Sequence, residues 1–301
     1  MNILFMGTPD FAKIILEQLC KDSFFKIVGL VTQEDKPYGR KMELKPASTK
    51  LYVLENNLSF PIYHPCDVEP QYSFLSTMQI DVILVVAYGR ILPEDVINNY
   101  FCINIHASIL PYYRGASPIQ SMILNACDYA GISIIKMTKN LDDGDIFSTR
   151  FIKNKQYDIV ELNNILAISA GELAIKTLKN IKSIKNFSQF HCDATYCNKI
   201  QKSDGCIDFL DSNHVYRKFL AYKNWPNIFC KSGIKLIDIN VNESFSTNEK
   251  GIIISISSDF IVVGCIKGSL KIYFLQPPGK KIIPSPAYLR GRHLGVGDIF
   301  V

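Results

Sequence analysis

In the first half of the chain, short apolar runs alternate with stretches of helical spacing. NILFMG (2–7) reads as a strand, and FAKIILEQL (11–19) places its apolar residues on one helical face. FKIVGLVT (25–32) returns to strand, STKLYVLENN (48–57) to helix, and IDVILVVAY (80–88) is the continuous apolar run of a buried parallel strand. CINIHAS, PIQSMILNA and GISIIKMT then repeat strand, helix, strand between 102 and 138, and residues 158–181 form a long amphipathic helix. This alternation predicts an α/β fold with a doubly wound, mostly parallel, Rossmann-like sheet. Periodicity fades from Lys182 to Gly205. Beyond it, IFCKSGIKLIDINV and GIIISISSDFIVVGCIKGSLKIYFLQ read as strand–turn–strand units, so a smaller C-terminal β-barrel of OB-like type is expected. The expected organisation is a catalytic domain at 1–186, a linker at 187–205 and a β-barrel domain at 206–301.

One stretch departs from pure packing. INIHASILPYYRGASPIQ (103–120) carries Asn104 and His106 inside an apolar strand. Residues two apart share a face, so the amide and the imidazole point the same way. Pro111 stops the strand, and Ser117-Pro118 resembles the cap and first position of a helix. The pair therefore lies at the strand's carboxyl end, the edge where open α/β sheets bind ligands. Asp142, in LDDGDIF, follows the strand GISIIKMT and is expected at a carboxyl end too. If the two strands are neighbours, Asn104, His106 and Asp142 converge on one crevice.

That trio suits direct transfer of an acyl carbon to an amine. Asn104 and His106 would donate to the oxyanion of a tetrahedral intermediate. Asp142 would orient the imidazole and assist removal of the amine proton, directly or through water. There is no nucleophile elbow, phosphate loop or metal-ligand spacing. The first turn is Gly7-Thr8-Pro9 rather than G-x-G-x-x-G, which argues against a dehydrogenase.

Composition sharpens this picture. The 301 residues are 48% hydrophobic, enough for two cores, and no apolar run reaches the roughly 20 residues of a membrane helix. The N-terminus lacks the pattern of a signal peptide, so a cytoplasmic protein with no membrane partner is expected. Nine scattered cysteines point to reduced, buried thiols. His191, Cys192, Cys197 and Cys206 are too widely spaced for a usual zinc site, and no metal is expected. Residues 1–186 hold 19 Lys+Arg against 19 Asp+Glu, whereas 187–301 hold 14 against 9. The whole net charge of +5 thus sits in the last third, as in an enzyme that also holds a polyanion; a solvated basic surface would look the same.

INIHASILPYYRGASPIQ together with LDDGDIF resembles the signature of the folate-dependent formyltransferases, an N-x-H-x-S-L-L-P-x-Y-R-G stretch followed by a D-x-G-D loop. GTPDF (7–11), AYGRILP (87–93), AYKNWP (221–226) and LQPPGKK (275–281) extend the resemblance along the chain, toward the branch of that family acting on charged initiator tRNA. The resemblance implies Asn104, His106 and Asp142 as the catalytic trio. It also implies that Ser108, Ile109, Leu110 and Pro111, with Arg90, Ile91 and Leu92, hold the folate. The donor would be 10-formyltetrahydrofolate and the acceptor the α-amine of methionyl initiator tRNA. A free α-amine has a pKa of about 7.7–8.0, and esterification lowers it, so no strong base is required. The β-barrel and the loop 33–50 would grip tRNA, with Arg40 entering the acceptor arm and Lys36, Lys41, Lys45 and Lys50 meeting phosphates. The family pattern further implies a monomer.

Four positions depart from the pattern. Ala107 stands where glycine is commoner, Asp143 stands where threonine is frequent and adds a like charge beside Asp142, and Met42-Glu43 replace a frequent pair of lysines. An alternative remains a formyltransferase acting on a nucleotide sugar or another small amine; against it stand the basic last third, AYKNWP and LQPPGKK.

Overall fold

A computed structural model of the chain describes residues 1–38, 42–64 and 72–300. Its residues divide into two compact units. One comprises Met1–Pro118, Tyr129–Lys153 and Asn163–Cys197; the other comprises Ile119–Asp128, Asn154–Leu162 and Asn198–Val301.

The first unit grows from apolar segments too short and too uniformly buried to stand alone. β1 (Asn2–Gly7) is followed by α1 (Asp10–Cys20), whose Phe11, Ala12, Ile15, Leu16 and Leu19 form the buried stripe expected of helical spacing. Each large side chain buried this way contributes about 1.5–3 kcal/mol. Then come β2 (Lys26–Val31), the short hairpin of β3 (Lys36–Tyr38) and β4 (Glu43–Lys45), α2 (Ser48–Glu55) and β5 (Ile62–Tyr63). β6 (Val82–Val86) is buried at every position, as a strand covered on both faces must be. α3 (Glu94–Asn99), β7 (Cys102–His106) and β8 (Arg114–Gly115) follow.

After α4 (Pro118–Leu124) the chain forms β9 (Tyr129–Lys136), β10 (Ile146–Lys153), α5 (Ile159–Lys179) and β11 (Tyr196–Cys197). The main sheet has the order β10-β9-β7-β6-β1-β2-β5. The strands from β5 to β7 run parallel, while β9 is antiparallel to β7 and to β10.

That polarity corrects one expectation. Because β9 runs against β7, its carboxyl end pairs with the start of β7: Ile103 faces Lys136 and His106 faces Ser133. Strand direction alone would place Asp142 at the wrong edge. The loop 137–145 brings it back across the sheet.

In the second unit, α6 (Ser212–Ala221) is capped by Asp211, whose carboxylate accepts from Asn213 and His214 N–H. β12 (Ile228–Phe229), β13 (Lys235–Thr247), β14 (Ile253–Ile256), β15 (Ile261–Gly264) and β16 (Lys267–Gln276) form an antiparallel sheet in the order β12-β13-β16-β15-β14, and β17 (Ile283–Pro284) pairs with β16. Repeated register shifts along the long β13–β16 pair mark bulges, which bend and twist such strands. α7 (Ser285–Arg292) opens with Pro286 in its first turn.

Asp158 caps α5. Its Oδ1 accepts from the N–H of Val160 and Glu161 at 2.8 and 3.0 Å, and Glu161 returns the bond to the Asp158 N–H. Lys223, the lysine of AYKNWP, donates to the other oxygen at 2.6 Å.

Among the described residues all eight cysteines are free, and burial pushes the Cys102, Cys230 and Cys265 thiols up to about 12. No described helix is long and apolar enough to cross a membrane.

Candidate active site

β7 delivers Asn104 and His106 to one face of the first unit's sheet, and the 137–145 loop brings Asp142 over them. Asn104 Nδ2 donates to Asp142 Oδ1 at 3.0 Å, and the Gly115 N–H donates to Oδ2 at 3.0 Å. His106 Nδ1 lies 3.5 Å from the same Oδ2. The three residues of the expected trio are therefore in one cluster. His106 is only 5% exposed, so its bonds form in a low-dielectric setting where each counts for more.

The imidazole is oriented from its other side. Nε2 lies 2.8 Å from the carbonyl oxygen of Tyr113. A carbonyl only accepts, so Nε2 carries a proton and donates it there. Tyr113 presents that oxygen from a left-handed backbone with φ 59°, a conformation costing roughly 1–2 kcal/mol for a residue with a side chain. Strain of this kind persists where surrounding bonds over-determine the turn. Here the Tyr113 N–H donates to Thr195 Oγ at 2.8 Å, and Ser108 Oγ donates to the Tyr112 carbonyl at 2.6 Å. The expectation of two equivalent oxyanion donors changes accordingly. His106 spends its Nε2 proton on Tyr113, which leaves Nδ1 as its chemically available nitrogen, whereas Asn104 retains a second amide hydrogen.

The 137–145 loop needs its glycine. A Cβ at Gly144 would lie 1.8 Å from the Lys136 carbonyl oxygen, so only glycine allows the chain to fold back this closely. Asp143 turns away from the trio. Its carboxylate accepts from Thr138 Oγ and from Asn140 Nδ2, which ties it into its own loop.

The expected folate residues divide by role. Ser108 is fully buried and serves the turn, since its carbonyl also accepts from Ser133 Oγ, which in turn accepts from the Leu110 N–H. Leu110 packs with Ile135 and Ile146. Ile109 and Pro111 are half-buried. In the loop after β6, Leu92 is buried, Arg90 is half-buried and Ile91 is 92% exposed. The Tyr88 carbonyl there accepts from Thr8 Oγ at 3.1 Å and Gln33 Nε2 at 2.9 Å, so the loops after β1, β2 and β6 are tied together at the parallel strands' carboxyl edge.

Of the residues expected to meet tRNA, Arg40 and Lys41 lie outside the described residues. Lys45 is exposed on β4. Lys50 is committed to Asp35 at 2.9 Å, so it anchors the loop instead of presenting a charge to a partner.

Two residues with no assigned part in the sequence reading bear on the trio. Gln189 Nε2 donates to the carbonyl oxygens of Asp142 and Gly144 at 2.9 and 2.8 Å, and its Oε1 accepts from Arg114. Arg114 stands inside the Y-R-G stretch, but Gln189 sits in a polar segment without periodicity, and no local signal marks it. Among the described residues there is no group of three or more His, Cys, Asp or Glu side chains placed to hold a metal ion.

A family model described as formyl transferase matches residues 1–173, and one described as formyl transferase, C-terminal domain, matches residues 199–293. A methionyl-tRNA formyltransferase of Helicobacter pylori is 46% identical over 301 residues, covering 99% of each chain. That of a Nitratiruptor species is 42% identical over 311 residues, covering 100% of each. Among solved structures, the sugar 3N-formyl transferase WlaRD, solved in the presence of dTDP and 5-N-formyl-THF, superposes with a TM-score of 0.66 at 18% identity, covering 93% of this chain and 99% of that one. At that identity the likeness speaks for the fold alone. The chain belongs to the formyltransferase family, alongside the methionyl-tRNA formyltransferases.

Proposed function

We propose that this chain transfers the formyl group of 10-formyltetrahydrofolate to the α-amine of methionyl initiator tRNA, with Asn104, His106 and Asp142 as the reacting trio. The observation that carries the reading is the convergence of these three side chains on one point in a chain 46% identical to a methionyl-tRNA formyltransferase.

The chemistry follows from which atoms are free. The amine lone pair forms a bond to the formyl carbon, and the carbonyl electron pair moves onto oxygen. Asn104 offers its remaining amide hydrogen to that oxygen, a donor worth about 10²–10³ in rate at comparable sites. His106 Nδ1 takes the proton from the attacking nitrogen, directly or through one water. Asp142 Oδ2 faces the resulting imidazolium, and its own position is fixed by Asn104 and the Gly115 N–H. As the oxyanion collapses, the bond to the donor nitrogen breaks, that nitrogen takes the electron pair, and His106 returns the proton to it.

Support for a folate site comes from the exposed Ile91 beside the tied loops, and from the rigid Ser108–Pro111 turn next to the trio. Arg40 is proposed to enter the acceptor arm of the tRNA, and Lys41 and Lys45 to contact its phosphates. The protein is proposed to act in the cytoplasm as a monomer.

The test is incubation with labelled formyl donor and three acceptors: methionyl initiator tRNA, a charged elongator tRNA, and a nucleotide-linked amino sugar. Label on the initiator tRNA alone is the expected result. Label on the sugar with none on tRNA would overturn the reading.

A further inference from the structure

The stretch between the two family matches, residues 174–198, is not connecting chain alone. Within the first unit, β11 runs parallel to β8, so that Tyr196 pairs with Arg114 and Cys197 with Gly115. The Arg114 N–H donates to the Thr195 carbonyl at 2.9 Å and the Ala116 N–H to the Cys197 carbonyl at 3.0 Å. Gly115 has φ 117°, and a Cβ there would lie 2.4 Å from the Cys197 carbonyl oxygen. The same Gly115 donates its N–H to the Asp142 carboxylate. One backbone junction therefore serves both β11 and the catalytic carboxyl group.

Gln189 closes the arrangement. Its two amide hydrogens go to the carbonyl oxygens of Asp142 and Gly144, and its oxygen accepts twice from Arg114, from Nε at 3.1 Å and Nη2 at 2.7 Å. All four hydrogen-bonding positions of the amide are filled. No other common side chain supplies two donors and two acceptors at this length: glutamate lacks the donors, lysine lacks the acceptors and asparagine is shorter. Arg114 is 2% exposed, and its further bonds go to neutral acceptors, His191 Nδ1 at 3.1 Å and the Tyr196 hydroxyl at 3.4 Å. A buried guanidinium in a fixed fork is a rigid anchor.

We propose that Gln189, locked by Arg114, is a positioning residue that holds the Asp142 loop in its reactive place, and that the catalytic unit extends through Cys197. Gln189 touches no reacting atom. It acts by fixing the backbone of the residue that does, and a displacement of about 1 Å at such a site costs roughly 10²-fold in rate. This rests on the reading of Asp142 as a member of the trio.

Gln189→Glu keeps both acceptors for Arg114 and loses both donors to the loop. In the substrate-free protein, amide exchange at residues 138–145 is expected to quicken about tenfold or more, as the loss of two hydrogen bonds implies. Its kcat for formyl transfer is expected to fall about 10–10²-fold, with KM for donor and acceptor within about threefold. The double variant Arg114→Met/Gln189→Met removes charge and amide together, and it is expected to free the same loop without leaving a buried charge unpaired. Loop exchange and kcat unchanged in both variants would overturn the proposal, as would a raised KM with kcat retained. The exchange measurement uses no substrate, so it can fail while the formyl-transfer reading stands.

Discussion

His106 Nε2 lies 2.8 Å from the carbonyl oxygen of Tyr113, and the ring's opposite nitrogen lies 3.5 Å from the Asp142 carboxylate. The first contact calls for a proton on Nε2, and the second sets the carboxylate beside Nδ1, the nitrogen proposed to take the amine proton. His106→Gln can still donate an amide hydrogen toward Tyr113 but has nothing at the Nδ1 position. Its expected outcome is a folded protein whose kcat drops about 10²–10⁴-fold, checked by formyl-transfer kinetics beside a thermal melt. Nitrogen NMR of the unaltered protein should show the proton on Nε2. A protonated Nδ1 beside a bare Nε2 would refute the assignment.

Asn104 Nδ2 donates one amide hydrogen to Asp142 Oδ1 at 3.0 Å and keeps a second for another acceptor. Asn104→Ala removes the proposed oxyanion donor and one support of the Asp142 carboxylate. We expect kcat to fall about 10²–10³-fold with tRNA affinity kept within a few-fold, measured by steady-state kinetics and filter binding. A change confined to KM would instead make Asn104 a substrate-binding residue.

The two glycines Gly144 and Gly291 give a built-in comparison. A Cβ at Gly144 meets the Lys136 carbonyl at 1.8 Å, so Gly144→Ala must displace the loop that carries Asp142. Gly291 lies in α7, and a Cβ there has nothing within 4 Å. Gly144→Ala should lower both activity and melting temperature. Gly291→Ala should leave activity intact and raise stability by about 0.4–1 kcal/mol. Denaturant titrations of both variants check the contrast.

The Lys223–Asp158 pair predicts a pH window for stability. Burial alone would raise the Asp158 carboxyl, but the Lys223 hydrogen bond and the Glu161 and Val160 amides outweigh it and hold the group below its ordinary range. The Asp158 hydrogen bond raises Lys223. A depressed carboxylate contributes stability above its unfolded pKa of about 3.9 and loses it as pH falls from there through the lower folded value; a raised lysine contributes below its unfolded pKa of about 10.4 and loses it as pH rises from there through the higher folded value. Stability from this pair should therefore form a plateau between roughly pH 4 and 10. Lys223 is half exposed, so Lys223→Met should cost only about 1 kcal/mol or less at pH 7 and shallow the acid limb, read from urea unfolding across pH.

Much of this was legible in the residues. β1, α1, β6, β7 and α5 follow from apolar period and length, because their burial is what the period encodes. Asn104 and His106 on one strand face needed only the two-residue spacing. The place of Asp142 after a strand marks it out, but carboxyl ends coincide only where neighbouring strands run parallel. The antiparallel β9 reverses the edge, and what restores the contact is a loop that folds back through Gly144, a close approach that no periodicity records. Gln189 was illegible for a related reason. Its partners are two loop carbonyls and an arginine 75 residues away in sequence, and such bonds leave no local pattern. The fade in periodicity after Lys182 is real, yet Gln189 and β11 within it lock onto the Asp142 loop and β8 through two side-chain hydrogen bonds and a two-residue strand.

The most direct test compares Asp142→Asn with the unaltered protein in single turnovers at saturating formyl donor and methionyl initiator tRNA. The variant keeps the shape and one carbonyl oxygen but loses the charge that faces His106. Formyl transfer should slow by about 10²–10⁴-fold while tRNA affinity stays within a few-fold. A transfer rate equal to that of the unaltered protein would contradict the assignment of this carboxylate, imidazole and amide as the reacting group.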